Sequence, residues 1–521
     1  MKSFLSLAFA LSGLILMGSV SHAAEDAPLD SYRKLIRSPD VAALSSAALT
    51  LRQWMIAHDP YYPKYHFTGP YSWINDPNGP IYYRGRYHLF YQCKADGQNQ
   101  LICWGHAVSK DLVHWLDWPV AMSPDIPQDC KGVYSGNTFV ADDGSLAAIY
   151  TGNVDDRKEA YGILASSNDD GLTWRKQVVM DDKQRPNADS PVHWDGFTWK
   201  EGSEWHQLIG GSTGGPGKQG AAWLWTSPDL VHWTRIGNLA PSIKYGPYWE
   251  LPYLISLSQR QVLMVGAGNP YWVGDYDARK ITFTPDNLQP RQVDQGNYYS
   301  FNLNMTDNCG PDGKRRQLMH GWVTGPATPT KNVPYWQGAH SIPRVLRLQE
   351  NRLWQESIPE LECLRENRRL ITNAADAAGV HGDSLELIAT FQPGTAKQFG
   401  LNLCVSGDGK EYTRVYFDVP SRTFGMDGPT MKRNAAESKE CRVSYSSDSL
   451  LPNSSSPVTL HVFLDRSIIE VYVNGVALTG RCFPPTDAQG VGIFSSDGTA
   501  ELKSLEVFEM KSMWDGTAGD K

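Results

Sequence analysis

Ser109-Lys110-Asp111-Leu112-Val113-His114-Trp115 recurs further along the chain as Ser227-Pro228-Asp229-Leu230-Val231-His232-Trp233. A looser copy, Ser167-Asn168-Asp169-Asp170-Gly171-Leu172-Thr173-Trp174, stands between them, so the three tryptophans fall at 115, 174 and 233 with an even step of 59 residues. Short apolar runs surround the copies: Ile81-Tyr82-Tyr83, Tyr87-His88-Leu89-Phe90-Tyr91 and Leu146-Ala147-Ala148-Ile149-Tyr150. Gly, Asp and Asn punctuate them, which is the pattern of antiparallel strands joined by turns. A repeat of this length filled with short strands fits one four-stranded blade of a β-propeller. The stretch from about Tyr61 to Leu348 has room for roughly five.

Outward from the repeat the character changes at both ends. Leu35, Ile36, Val41, Leu44, Leu49, Leu51 and Trp54 lie among good helix formers, and residues 28–58 read as helical. After a polar stretch around Asn373 to Gly382 come six segments read as strands: 385–391, 399–405, 413–419, 458–464, 467–473 and 502–508. Asn474-Gly475 marks a hairpin, and a β-sandwich is the expected second unit. Its acids Asp465 and Glu470 read as solvated or structural. At the start, Lys2, the apolar run Phe4 to Met17 and Ser21-His22-Ala23 form a secretory signal pattern too short to span a bilayer.

The formal charge is −8, and removing the signal, which carries Lys2 and no acid, takes it to −9. No basic tract appears, which argues against nucleic acid or an anionic membrane as partner. The 18 Trp and 24 Tyr suit a sugar-stacking cleft, although core packing alone also accounts for them. Eight cysteines show no metal-like spacing; Cys93 with Cys103, and Cys441 with Cys482, are possible pairs in an exported chain, and free thiols are the alternative. His66, His88 and His106 lack a ligand signature, and no metal is expected. Sequons at Asn304-Met305-Thr306 and Asn453-Ser454-Ser455 matter only in a glycosylating host.

Residues at equivalent places in successive blades converge on the propeller axis. Asp76, Ser135, Asp189 and Glu250 are 59, 54 and 61 residues apart, close to the blade step. Three carboxylates so arranged supply what glycoside cleavage needs: an ionised nucleophile, a protonated acid and a group that holds sugar hydroxyls.

At these residues the chain resembles glycoside hydrolase family 32, the β-fructosidases. Trp73-Ile74-Asn75-Asp76-Pro77-Asn78-Gly79, followed by Tyr87 to Gln92, is similar to the nucleophile motif of that family. Trp104-Gly105-His106-Ala107, Tyr134-Ser135-Gly136, Trp336-Gln337-Gly338-Ala339-His340-Ser341-Ile342-Pro343-Arg344 and Leu464-Asp465-Arg466-Ser467-Ile468-Ile469-Glu470 resemble later blocks. The resemblance implies an all-β fold, a five-bladed β-propeller followed by a C-terminal β-sandwich. It also implies a retaining mechanism with Asp76 as nucleophile, Glu250 as acid and base, Asp189 as transition-state stabiliser, and no cofactor. Asn75, Gln92, Trp104, Tyr134, Ser135 and Trp336 would bind substrate, with Trp322 a second candidate for the cleft wall. Two departures stand out: Leu251 follows Glu250 where the family has Cys, and Ala188 precedes Asp189 where it has Arg.

The expected division is a signal at 1–23, a helical extension at 24–58, the catalytic propeller at 59–360, a linker at 361–383 and the sandwich at 384–521. The expected activity is release of fructose from terminal β-D-fructofuranosides of sucrose, inulin or levan type by an exported protein, periplasmic or extracellular. The alternatives are a fructosyltransferase using the same intermediate, or a weakened fructan-binding relative, the latter motivated by Ala188. An arabinan-type hydrolase on the same propeller fits the Asp76 and Gln92 motifs poorly. The sequence does not set the oligomeric state.

Overall fold

The computed structural model describes residues 27–97, 100–155, 158–184, 194–310, 313–432, 441–444 and 456–515. The secretory signal pattern, Ala188, Asp189 and the second sequon lie outside them. Five antiparallel sheets follow one another along the chain and form the propeller. Blade 1 is built from Ser72–Pro77, Arg86–Cys93, Cys103–Ser109 and Trp115–Met122, and blade 2 from Gly132–Val140, Leu146–Asp155, Glu159–Ser167 and Arg175–Met180. Blade 3 is Phe197–Glu201, Glu204–Ser212, Gly220–Ser227 and Thr234–Asn238, and blade 4 is Pro252–Leu257, Arg260–Val265, Pro270–Asp277 and Thr282–Pro285. Blade 5 is Tyr298–Asn302, Arg316–Val323, Arg344–Gln349 and Arg352–Ser357. Its connection supplies Trp336–Gln337, which pairs in parallel with the first strand of blade 1, Ser72 opposite Trp336 and Trp73 opposite Gln337. That pairing closes the ring.

The repeated heptad is the turn from the third to the fourth strand of a blade. Asp111 accepts from the backbone N–H of Val113 and of His114, Leu112 sits at φ 67°, and the Trp115 indole donates to the Leu112 carbonyl at 3.0 Å. Asp229, Leu230 and Trp233 reproduce every one of these contacts in blade 3. An aspartate that satisfies two turn amides and a tryptophan that caps them make this a self-sufficient local unit.

The N-terminal extension is two helices, Ala27–Leu35 and Val41–His58. Pro39 breaks the run that reads as one helix, and Asp40 caps the second, accepting from the Ala43 N–H at 3.0 Å. Arg52 of the second helix is fully buried. It forms a double hydrogen bond with Asp117 of blade 1 at 2.9 and 3.0 Å and lies 3.8 Å over the Trp514 ring. The helix thereby joins the propeller to the C-terminus.

The second unit is a sandwich. One sheet runs in the order Arg365–Ile371, Glu501–Met510, Ser384–Gln392, Val458–Asp465, Ile468–Val473, Val476–Arg481; the other runs Cys441–Ser444, Thr423–Asp427, Thr413–Asp418, Gln398–Val405, Gly490–Ser496. Leu387, Phe391, Leu460 and Val462 pack against Phe399, Leu401, Val415 and Phe424 in the core between them. The segment 361–383, expected to be a linker, instead contributes Arg365–Ile371, which pairs with Glu501–Met510 as an edge strand. Its charged run Arg365 to Arg369 hid it, because an edge strand turns such residues to water.

Asp465 and Glu470 are structural, not solvated. Both are buried at the junction of the two domains. Asp465 accepts from the backbone N–H of Lys64, Tyr65 and His66 and from the His66 ring, at 2.7 to 2.9 Å. Glu470 accepts from the Ile342 N–H, Arg344 and the Tyr472 hydroxyl, and contacts the other ring nitrogen of His66 at 3.2 Å. Arg344 also reaches Asp294 at 2.9 Å. Burial works against the charge on His66, but the bonds to Asp465 and Glu470 prevail and its pKa is pushed up to about 9. Burial likewise opposes the Glu470 carboxylate, while Arg344 and His66 bring it down to about 2. Cys93 and Cys103 lie directly opposite one another with free thiols. The Cys482 thiol is also free and donates to the Arg466 carbonyl.

Candidate active site

The first strand of blade 1 carries Asp76 at an interruption. Ile74 pairs with Cys93 and Pro77 with Tyr91, so the register shifts between them and Asn75 and Asp76 oppose Gln92 alone. Such a bulge re-aims side chains, and Asp76 on it is 8% exposed. Pro77, Asn78 and Gly79 then turn the chain. Gly79 sits at φ 65° where a Cβ would strike the Thr138 backbone, and its carbonyl accepts from the Thr138 hydroxyl. Only glycine permits this approach of blade 1 to blade 2.

Blade 2 answers with Ser135, whose hydroxyl donates to Asp76 Oδ2 at 2.6 Å. The Gln92 amide donates in turn to the Ser135 oxygen. Because that oxygen is already an acceptor from Gln92, its own proton is directed to the carboxylate. The Asn75 side-chain oxygen is buried with no partner.

Glu250 lies two residues ahead of the first strand of blade 4. Its carbonyl accepts from Gly266 and Ala267 at 3.1 and 3.3 Å, and Leu251 at φ 51° turns its side chain into the core of blades 4 and 5. Trp249, buried before it, is held by its indole N–H on the Tyr245 carbonyl at 2.8 Å. The Leu251 departure therefore touches packing and leaves the carboxylate on its own element. The Tyr299 hydroxyl of blade 5 faces Glu250 Oε2 at 3.4 Å. Tyr299 meets Trp322 edge-on at 6.2 Å, and Trp322 meets Trp73 at 6.5 Å. A half-buried aromatic row thus runs from the strand of Asp76 to Glu250.

Two expected contacts are corrected. Trp336 is fully buried, donates its indole N–H to Asp59 at 2.7 Å and packs against Tyr62, so it serves ring closure and not a cleft wall. Trp104 is also fully buried; it holds the carbonyl of half-buried Tyr134 at 2.8 Å and supports the Ser135 strand from behind. Trp322, by contrast, is half-buried and stands between Trp73 and Tyr299 in the aromatic row. The sequence does not single out Trp73 and Tyr299, because nothing in their spacing sets them apart from core aromatics.

Asp195 was missed as well. It is buried, and with Asp76 its charge adds to burial in raising the Tyr253 hydroxyl well above its usual range. Asp195, just ahead of the first strand of blade 3, thus acts on the same hydroxyl as Asp76. Trp194-Asp195 and Trp249-Glu250 each stand two residues ahead of a first strand, a signal present in the sequence. Among the described residues no group of three or more His, Cys, Asp or Glu is placed to hold a metal. His66 bridges the domain acids, and His88 and His106 contact one another at 3.0 Å.

Residues 66–357 match the Glycosyl hydrolases family 32 N-terminal domain, and 360–509 match the Glycosyl hydrolases family 32 C terminal domain. The chain belongs to glycosyl hydrolase family 32. It is 29% identical to the sucrose-6-phosphate hydrolase of Zymomonas mobilis subsp. mobilis over 92% of this chain and 97% of that one. It is 29% identical to the levanase of Bacillus subtilis over 88% of this chain and 71% of that one. The structure of sucrose-6-phosphate hydrolase from Lactobacillus gasseri superposes with a TM-score of 0.75 at 23% identity, covering 90% and 97% of the two chains. The propeller and sandwich of family 32 are the fold of this chain.

Proposed function

We propose that this family 32 hydrolase releases fructose from terminal β-D-fructofuranosides by double displacement, with Asp76 as nucleophile. The observation that carries the reading is the Gln92–Ser135–Asp76 relay, which presents a carboxylate oxygen as an acceptor on a bulge within the ring. Asp76 attacks the anomeric carbon as the glycosidic bond breaks, and Glu250 gives its proton to the departing oxygen. Glu250 then takes a proton from water, which attacks the same carbon and frees Asp76. The unpartnered Asn75 oxygen suits a sugar hydroxyl. Asp189 is the third carboxylate of the reading, holding fructosyl hydroxyls without the arginine that Ala188 replaces. Trp73, Trp322 and Tyr299 form the wall on which the sugar stacks.

Sucrose and β-fructans are the proposed substrates, in keeping with the names of the relatives, and no cofactor takes part. No helix among the described residues is long and apolar enough to cross a membrane, and export is proposed on the Phe4 to Met17 pattern. The test is product chromatography after incubation with sucrose, inulin and levan. Equal fructose and glucose from sucrose supports hydrolysis. Excess glucose with longer oligosaccharides supports transfer, and binding without products would leave a weakened relative.

A further inference from the structure

We propose that His340 is a positioning residue whose Nε2–H holds the Asn75 carbonyl and so fixes the bulge that presents Asp76. The proposal rests on the reading of Asp76 as nucleophile. His340 Nε2 lies 2.8 Å from the Asn75 carbonyl oxygen. A carbonyl only accepts, so the ring carries its hydrogen on Nε2 and leaves Nδ1 a bare acceptor. The bulge interrupts the ladder between Ile74 and Pro77, and His340 supplies a hydrogen bond to the backbone at that interruption. It does so from blade 5, across the seam that closes the ring: its own N–H donates to the Phe67 carbonyl at 2.7 Å, and it pairs with Trp322.

The ring is fully buried, stacked on Phe67 at 5.7 Å and edge-on to Tyr91 at 5.9 Å. Nδ1 has no partner. A buried polar atom left unpaired is costly, and an apolar side chain would fill this box without that cost. Breaking a local rule of this kind is expected where function requires it. Burial also lowers the His340 pKa to about 4, so the ring is a neutral donor at neutral pH. One residue thereby controls two neighbours, because the Asn75–Asp76 peptide carries both the unpartnered amide oxygen and the carboxylate.

The test compares His340→Met with His340→Gln in the full-length protein, using whichever of sucrose, inulin and levan is cleaved fastest. Gln places an amide N–H near the Nε2 position, whereas Met fills the space without a donor. The expected result is a fall in kcat of about 30- to 100-fold for His340→Met with KM changed less than about threefold, since small misplacement of a reacting group has that scale. His340→Gln should recover kcat to within about fivefold of wild type. A His340→Met kcat within about threefold of wild type, equal losses in both variants, or a loss confined to KM would overturn the proposal. Should His340→Met fail to fold, His340→Asn, whose amide is too short to reach, replaces it in the same contrast. Asp76→Ala run alongside separates the two readings. Full activity there would remove the nucleophile assignment, whereas an inactive Asp76→Ala beside a wild-type-like His340→Met would remove the positioning role alone.

Discussion

Asp76 and Asp465 are both buried aspartates within sequence motifs of this chain, and their surroundings differ. Asp465 ends a sandwich strand and collects three consecutive backbone N–H groups and an imidazole, with its neighbour Glu470 beside an arginine. Asp76 lies in a strand bulge and receives a hydroxyl whose proton is set by an amide. The first arrangement stitches two domains together through charged, backbone-rich contacts. In the second, a serine hydroxyl held by a glutamine amide meets the carboxylate on the first strand of blade 1. On the proposed reading of Asp76 as nucleophile, burial alone does not tell a reactive carboxylate from a structural one; the donors and the backbone beneath it differ.

The sharpest break of this contrast is to remove each carboxylate. Asp76→Ala should lower kcat about 10⁴-fold or more while the thermal midpoint stays near that of wild type. A variant retaining full turnover would end the nucleophile assignment. Glu470→Ala should do the reverse. It takes the acceptor from Ile342, Arg344 and Tyr472, and removing one partner of a buried ion pair costs about 3–5 kcal/mol. Urea unfolding should register that loss. As a control, Glu356→Ala, which breaks the exposed pair with Arg347, should cost under about 1 kcal/mol. Equal effects of the two would show that the interface network carries no special share of stability.

The same network gives the stability profile an alkaline arm. His66 has a folded pKa near 9 against an ordinary 6.5. Its contribution is complete below pH 6.5 and is lost as pH rises through 9, with a slope of at most about 1.4 kcal/mol per pH unit. The acid arm has other owners. Burial lowers His88 and His340 to about 4 and His320 to about 3, so the stability of keeping them neutral is present above 6.5 and is lost as pH falls through those values. Glu470 adds a loss below 4.5 as pH falls through about 2. Unfolding midpoints should therefore peak near pH 6.5. His66→Gln should flatten the arm between pH 6.5 and 9 and spare the loss on the acid side owed to the buried neutral histidines. An unchanged alkaline arm would locate its origin elsewhere.

Legibility in the sequence follows how local each structure is. Blades 1 to 3 could be read because an aspartate and a tryptophan within seven or eight residues make the outer turn by themselves. Blade 4 keeps the device in worn form: Asp277 accepts from Arg279 and Lys280, but Phe283 stands on the following strand and no tryptophan caps the turn. Blade 5 abandons it for a tight hairpin at Glu350 and Asn351, both at positive φ. The Asp76 motif was legible because its bulge and glycine turn are written in contiguous residues. The Asp465 clamp was not, since its donors Lys64 to His66 are some four hundred residues away. Nor could the sequence rank Trp322 above Trp336, because the closing strand sends Trp336 to Asp59 by a pairing that only the closed ring creates.

The subtlest test lies within the relay. Ser135→Ala removes the proton donated to Asp76 and leaves the Gln92 amide without its acceptor, while the backbone of the bulge is untouched. A fall in kcat of about tenfold is expected, the scale of losing one supporting hydrogen bond to a catalytic group. Unfolding should shift by no more than about 1–3 kcal/mol, the cost of the orphaned amide. Gln92 acts on Asp76 through Ser135 in this arrangement, so Gln92→Ala added to Ser135→Ala should cost far less than Gln92→Ala alone. If the two losses simply add, Gln92 meets the sugar independently and the relay is not a unit. If both variants instead lose stability with unaltered kcat, the hydroxyl belongs with the clamps at the domain junction, and the contrast between the two aspartates fails at its finest point.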